Sequence, residues 1–133
     1  MNDLQQNADK FIQTAPYFGI IRAHGPLYFT GSYFLKTMTW RDLDLQLGLQ
    51  VEQDPKEILS IISASLIKEK GLQKLKFIDF LNYPRPPMTS GLCLSLNAFD
   101  ENIQDFWKID IWGLDPLTLQ ENQKIMHHLK EKI

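Results

Sequence analysis

From Asp42 to Leu49 the chain reads "DLDLQLGL", with a leucine at every second position and Asp42, Asp44 and Gln46 among those between. Successive side chains on a strand point to opposite faces, so this run predicts a strand with an apolar face and an acidic one. "FWKIDIWGL" repeats the design, with Lys108, Asp110 and Trp112 on one side and Trp107, Ile109 and Ile111 on the other. "PLYFT", "LKFIDFL" and "LCLSLNAF" supply three further short strands. The proline-rich "NYPRPPMTSG" between the last two reads as a rigid connection, because Pro84, Pro86 and Pro87 cannot join a ladder.

Helical spacing accounts for the rest. Leu4, Ala8, Phe11 and Ile12 predict a helix over the first fourteen residues. A second, short one follows in "TAPYFGIIRAHG", with Thr14 as cap, Pro16 in the first turn and Gly25 as the stop. His24, just before that stop, reads as structural. Ser32 to Thr37 predicts a helical turn. Asp54 to Lys70 is the clearest helix. Asp54 caps it, Pro55 opens it, Glu57 completes a capping box, and Ile58, Leu59, Ile62 and Leu66 form its apolar stripe up to Gly71. Thr118 and Glu121 suggest a second capping box at the start of the final helix. The expected fold class is α+β: a mixed sheet of about five strands, helices on its leucine face, and a carboxylate cleft on the other.

Length and composition narrow the setting. A chain of 133 residues with no internal repeat or linker is expected to form one domain spanning 1–133. No apolar run is long enough to span a bilayer and no signal-like segment opens the sequence, so no membrane association is expected. The single Cys93 excludes an internal disulfide and a cysteine metal cluster, and a cytoplasmic setting is expected. Fourteen Lys and Arg against sixteen Asp and Glu leave a net charge of −2. That balance argues against broad electrostatic capture of nucleic acid, while leaving room for a local basic patch.

The chemistry concentrates in the acids. If the two acidic strands are neighbours, Asp42, Asp44 and Asp110 converge, and such a group needs a counter-charge to stay ionised. Oxygen-only donors suit Mg²⁺ or Mn²⁺, and paired ions of this kind can clamp an in-line displacement at phosphorus. Gly31-Ser32, opening the predicted turn, offers backbone N–H groups and a hydroxyl to phosphate oxygens.

The order "FTGS", then "RDLDLQ", then "KIDIW" resembles the DNA polymerase β-type nucleotidyltransferase superfamily, in particular its small bacterial antibiotic and minimal nucleotidyltransferases. The resemblance covers roughly residues 27–113. Between turn and first aspartate this chain carries the bulky "YFLKTMTW", where the family usually has small or charged residues. The resemblance implies a metal-dependent enzyme that moves a nucleoside monophosphate from an NTP, with ATP expected, to a hydroxyl of a small molecule or protein, releasing pyrophosphate. It assigns Gly31 and Ser32 to the triphosphate, Asp42 and Asp44 to both metals, and Asp110 to the catalytic metal or the acceptor hydroxyl. Larger relatives carry a helical region that helps hold the acceptor, so a homo-oligomer or a helical partner subunit is a natural complement. The competing reading is an inactive or antitoxin-like module of the same fold that works by binding a partner protein.

Other residues read more plainly. Lys36 and Arg41 are solvated cations unless they reach phosphate. His127 and His128 suit the dipole at a helix end. Cys93 is a buried thiol. Ser95 and Asn97 share its face, and line an acceptor pocket only if that face meets the cleft. Trp112 packs in a core in preference to stacking on a ring.

Overall fold

The computed structural model describes residues 3–133. Its elements run α1 (Asp3–Thr14), α2 (Tyr17–Arg22), β1 (Leu27–Thr30), α3 (Gly31–Leu35), β2 (Asp42–Gly48), α4 (Pro55–Leu66), β3 (Leu72–Asp79), β4 (Leu92–Asp100), β5 (Asp105–Leu114) and α5 (Pro116–Glu131). The strands form one mixed sheet in the order β1-β2-β5-β4-β3. Only β2 and β5 run parallel, and all other neighbours are antiparallel. The α+β architecture with five strands is as the sequence predicts. Met1 and Asn2, counted in the first predicted helix, lie outside the described residues.

The alternation does the sorting. Leu43, Leu45 and Leu47 of β2, Leu94 and Leu96 of β4, and Ile109 and Ile111 of β5 are buried on one face. Phe11 of α1, Phe18 and Ile21 of α2, and Leu59, Ile62 and Leu66 of α4 join them in a single core. Phe11 stacks on Trp107 with centroids 5.7 Å apart, which ties α1 to the middle of the sheet. The opposite face carries a second, smaller cluster of Cys93, Trp112 and Leu114, and α5 covers it through Leu119. Here β4 and β5 are apolar on both faces towards the C-terminal end of β5, and that patch needs a helix of its own.

Several boundaries differ from expectation for local reasons. Thr14 ends α1, its hydroxyl donating to the Lys10 carbonyl at 2.8 Å, and so does not cap α2. The cap of α5 is Asp115, which accepts from the Thr118 N–H at 2.8 Å and from its hydroxyl at 2.9 Å; Thr118 lies inside the first turn. Helix α4 ends at Leu66, the last residue of its buried stripe; past the exposed Ile67 the chain tightens into turns in which the Lys68 and Glu69 N–H groups donate to the Ser65 and Leu66 carbonyls at 3.3 and 3.0 Å. Strand β3 closes at Asp79, whose carboxylate accepts from the Leu81 and Asn82 N–H groups and turns the chain.

Adjacent isoleucines on α4 test this division. Ile62→Ala should destabilise by about 3 kcal/mol through the cavity it leaves, whereas Ile61→Ala, at a site 45% exposed, should change stability by less than about 0.5 kcal/mol. Equilibrium urea unfolding of the two variants measures both.

Candidate active site

The parallel pairing of β2 and β5 sets Asp42 opposite Lys108, Asp44 opposite Asp110 and Gln46 opposite Trp112. All six side chains therefore point to the face away from the leucines. One carboxylate oxygen from each of Asp42, Asp44 and Asp110 falls within 4.8 Å of the others. The structure thus brings together the three acids singled out in the sequence.

Their electrostatics follow from that crowding. Burial, followed by the charges of Asp42 and Asp110, pushes the Asp44 carboxyl up to about 7, against an opposing pull from Lys108. Burial also raises Asp42, with Lys108 pulling down and Asp110 pushing up. The Lys108 ammonium lies 3.2 Å from an Asp110 carboxylate oxygen and is itself held above its ordinary value, chiefly by that carboxylate. Cys93, on the same face, is pushed up to about 12 by burial and then by Asp110 and Asp44, so it remains a thiol. The field here is strongly negative.

A divalent cation fits this donor set. One carboxylate oxygen of Asp42 is buried and has no hydrogen-bond partner, which is costly for a polar atom unless a cation completes it. Three carboxylates without nitrogen or sulfur donors suit a hard ion such as Mg²⁺ or Mn²⁺.

Gly31 and Ser32 stand at the rim of the same cleft, as the first turn of α3. Thr30, just before them, pairs with Asp44 across β1 and β2. Gly31 has φ +66°, and a Cβ there would lie 2.6 Å from an Asp44 carboxylate oxygen. Only glycine gives both the left-handed backbone and the close approach. Helix α3 is clamped from two sides. The Tyr33 hydroxyl donates to Asp9 of α1 at 2.6 Å, and Phe34 meets His127 edge-on at 5.4 Å with the Lys130 ammonium 4.3 Å over its ring.

Sequence reasoning did not anticipate the pocket beside the acids. A hollow of about 220 Å³ opens next to Asp44 and Gly31, lined also by Gln46, Thr89, Trp112 and Asn122. The Asn122 side-chain nitrogen is buried and unpartnered. Only the fold brings α5 and the proline-rich loop here, so no local motif could have signalled it. Trp112 is buried and stacks on Phe80 at 5.5 Å, a core role. Arg41 is paired with Asp105 at 2.9 Å. A larger hollow of about 500 Å³, around Phe11, Tyr17, Phe99 and Phe106, is remote from the carboxylates. Its buried acid, Asp100, already accepts from the Trp107 indole N–H at 2.9 Å.

With the geometry in hand, comparison with known proteins identifies the fold. No protein-family model and no curated protein sequence matches the chain. Solved structures do. The Cid1 poly(U) polymerase in its MgGTP-bound form superposes with TM-score 0.67 at 14% identity, covering 98% of this chain and 38% of that one. The non-canonical poly(A) polymerase GLD-2, in complex with GLD-3, gives TM-score 0.58 at 18% identity over 85% of this chain and 35% of that one. A GTP pyrophosphokinase family protein from Streptococcus pneumoniae gives TM-score 0.57 at 12% identity, over 98% of this chain and 74% of that one. The chain therefore has the nucleotidyltransferase fold, and it spans little more than a third of the length of the two polymerase chains.

The raised carboxyls make a pH prediction for the metal-free protein. Unfolded Asp44 ionises near its ordinary 3.8, whereas folded Asp44 keeps its proton to about 7. Between those values the folded state binds more protons, so stability should fall as pH rises through that window. Melting temperatures in chelator should trace this decline, and Asp44→Asn should flatten it and melt higher than the parent at pH of about 8.

Proposed function

We propose that this chain transfers a nucleoside monophosphate from an NTP, with ATP as the expected donor, to a hydroxyl group. The observation that carries the reading is the convergence of Asp42, Asp44 and Asp110 beside a Gly-Ser turn held open by a left-handed glycine. The nucleotidyltransferase fold supports it.

In this reading the N–H groups of the α3 first turn and the Ser32 hydroxyl hold the triphosphate, where backbone donors and the helix terminus favour negative charge. Asp42, Asp44 and Asp110 would hold Mg²⁺ or Mn²⁺ beside the donor nucleotide. When bound, such an ion would supply neutralisation of the charge that develops at phosphorus. Asp110 orients the acceptor hydroxyl and takes its proton. The hydroxyl oxygen bonds to the α-phosphorus, the bond to the bridging oxygen breaks, and pyrophosphate departs. Lys108, now on Asp110, has an exposed side chain that leaves it free to release the carboxylate.

The pyrophosphokinase-family neighbour marks a rival outcome, attack at the β-phosphorus with release of a nucleoside monophosphate. Product analysis separates them. Pyrophosphate release supports nucleotidyl transfer, and AMP release from ATP overturns it.

Two measurements test the residue roles. Millimolar Mg²⁺ with ATP should raise the melting temperature by more than either alone, since a ligand at about a hundred times its Kd adds roughly 2.7 kcal/mol. Asp110→Asn should keep that gain while cutting transfer by about 10²–10⁴-fold, because its contribution is made mainly in the transition state. Asp42→Asn should lose both. Full transfer activity in Asp110→Asn would assign the third acid elsewhere.

A further inference from the structure

The hollow of about 500 Å³ that is remote from the three acids has no part in the proposed transfer. It forms where the corner between α1 and α2, the start of β3 and the β4–β5 hairpin meet. Small-molecule sites have volumes of roughly 300–1,000 Å³, so this one is large enough to hold a ligand. Four rings line it: Phe11 and Tyr17 from the helical corner, Phe99 and Phe106 from the hairpin. Phe99 and Phe106 meet edge to face with centroids 5.1 Å apart, and both stay half-buried, so part of each ring is open.

A carboxylate stands among these rings. Asp100 is only 4% exposed, yet among the described residues neither it nor its neighbour Glu101 forms an ion pair. A buried aspartate is uncommon without a partner of opposite charge, because taking the charge out of water is costly. One Asp100 oxygen accepts from the Asn102 N–H at 3.0 Å and the other from the Trp107 indole N–H at 2.9 Å. Those bonds fix the carboxylate but leave its charge in place, and an ionised carboxylate has about four acceptor positions. Of the charged groups around the hollow, Asp100 and Glu101 outnumber Lys70, whose side chain is exposed. Ring faces carry partial negative charge as well, so carboxylate and rings favour the same kind of ligand.

We infer that this hollow is a second binding site, and that it takes a small organic cation: a primary ammonium or guanidinium on an apolar body. The N–H groups meet the open acceptor positions of Asp100, and the body lies against the rings. The inference goes beyond the nucleotidyl-transfer reading and does not depend on it.

Other ligand classes fit less well. An anion would be repelled by the buried carboxylate. A neutral apolar molecule would fill the space and leave the charge without a counterpart. A hard metal ion wants six or more oxygen ligands and gains nothing from four aromatic rings. An organic cation uses both features at once, since a charge-assisted hydrogen bond forms at one end and cation–π contact at the other.

Phenethylammonium is a suitable probe, with 2-phenylethanol as a control of similar shape and no charge. Trp107 reports on the site directly, because its indole N–H is bonded to Asp100. Trp112 lines the separate hollow beside Asp44 and reports a cation that goes there instead. In ¹H–¹⁵N spectra the Trp107 indole signal should move saturably with phenethylammonium while that of Trp112 stays in place. The alcohol should bind about tenfold more weakly, having no charge to offer Asp100. Asp100→Asn should remove most of that preference. Phe99→Leu keeps an apolar wall but loses a ring face, and should weaken the cation about threefold while changing the alcohol less. Should Asp100→Asn fail to fold, Phe99→Leu decides by the same comparison. A still Trp107 signal at millimolar probe, movement of Trp112 alone, or equal affinity for cation and alcohol overturns the inference. So does cation binding that every folded variant of the two leaves unchanged.

Discussion

The parallel pairing of β2 with β5 is the constraint on which everything else depends. It sets Asp44 directly across from Asp110 and places Asp42 one pleat away. Like charges this close repel, and nothing in the cleft among the described residues but Lys108 opposes them. What holds them is on the reverse of the same strands. Leu43, Leu45, Ile109 and Ile111 are fully buried against α1, α2 and α4, and each such side chain is worth about 1.5–3 kcal/mol. Strand alternation makes the two inseparable. A register slip of one residue would expose the leucines and bury the acids, so the packing that stabilises the fold also fixes the site's geometry.

The second constraint is the close fit of α3 against β2. With Gly31 lacking a Cβ, the turn approaches Asp44 closely enough for its backbone donors and the carboxylates to address one small volume. A five-residue helix cannot hold such a position by itself. Tyr33 binds it to α1 through Asp9, and Phe34 binds it to α5 through His127 and Lys130. The bulky "YFLKTMTW" that departs from the usual family pattern includes both of these anchors. Tyr33 and Phe34 are thus accommodated outside the cleft, and they position the turn.

How much of this was legible in the sequence follows the range of the interactions. Strict leucine alternation announced β2 and the face of its aspartates, and "KIDIW" did the same for β5, because a period of two is a local property. That the two strands would be neighbours was legible only through the family-like order of motifs. Caps were read less well. Thr14 and Thr118 are good cap residues by type, but Thr14 sits at the end of α1, and Asp115 before a proline took the position that Thr118 was expected to hold. The pocket at Asn122 and Thr89 lies wholly outside local reading. It depends on where the last helix lands.

That difference in range separates the donor half of the proposed chemistry from the rest of the carboxylate face. The donor half comes from one short stretch, residues 30–44, together with one aspartate across the parallel pair. Its parts must keep fixed spacing to work at all, so it can be recognised in a sequence, while the fold around it is shared with solved chains of only 12–18% identity. The rest of that face is drawn from β3, β4 and the start of β5, from positions whose side chains can change without disturbing the leucine core. A solvent-facing lysine on an edge strand is under no packing constraint, and such lysines also discourage edge-to-edge association. Lys108 is different, because it sits on a central strand within reach of Asp110 and cannot be explained as edge protection. Its place ties it to the acids: with no metal bound, its ammonium neutralises Asp110 at 3.2 Å.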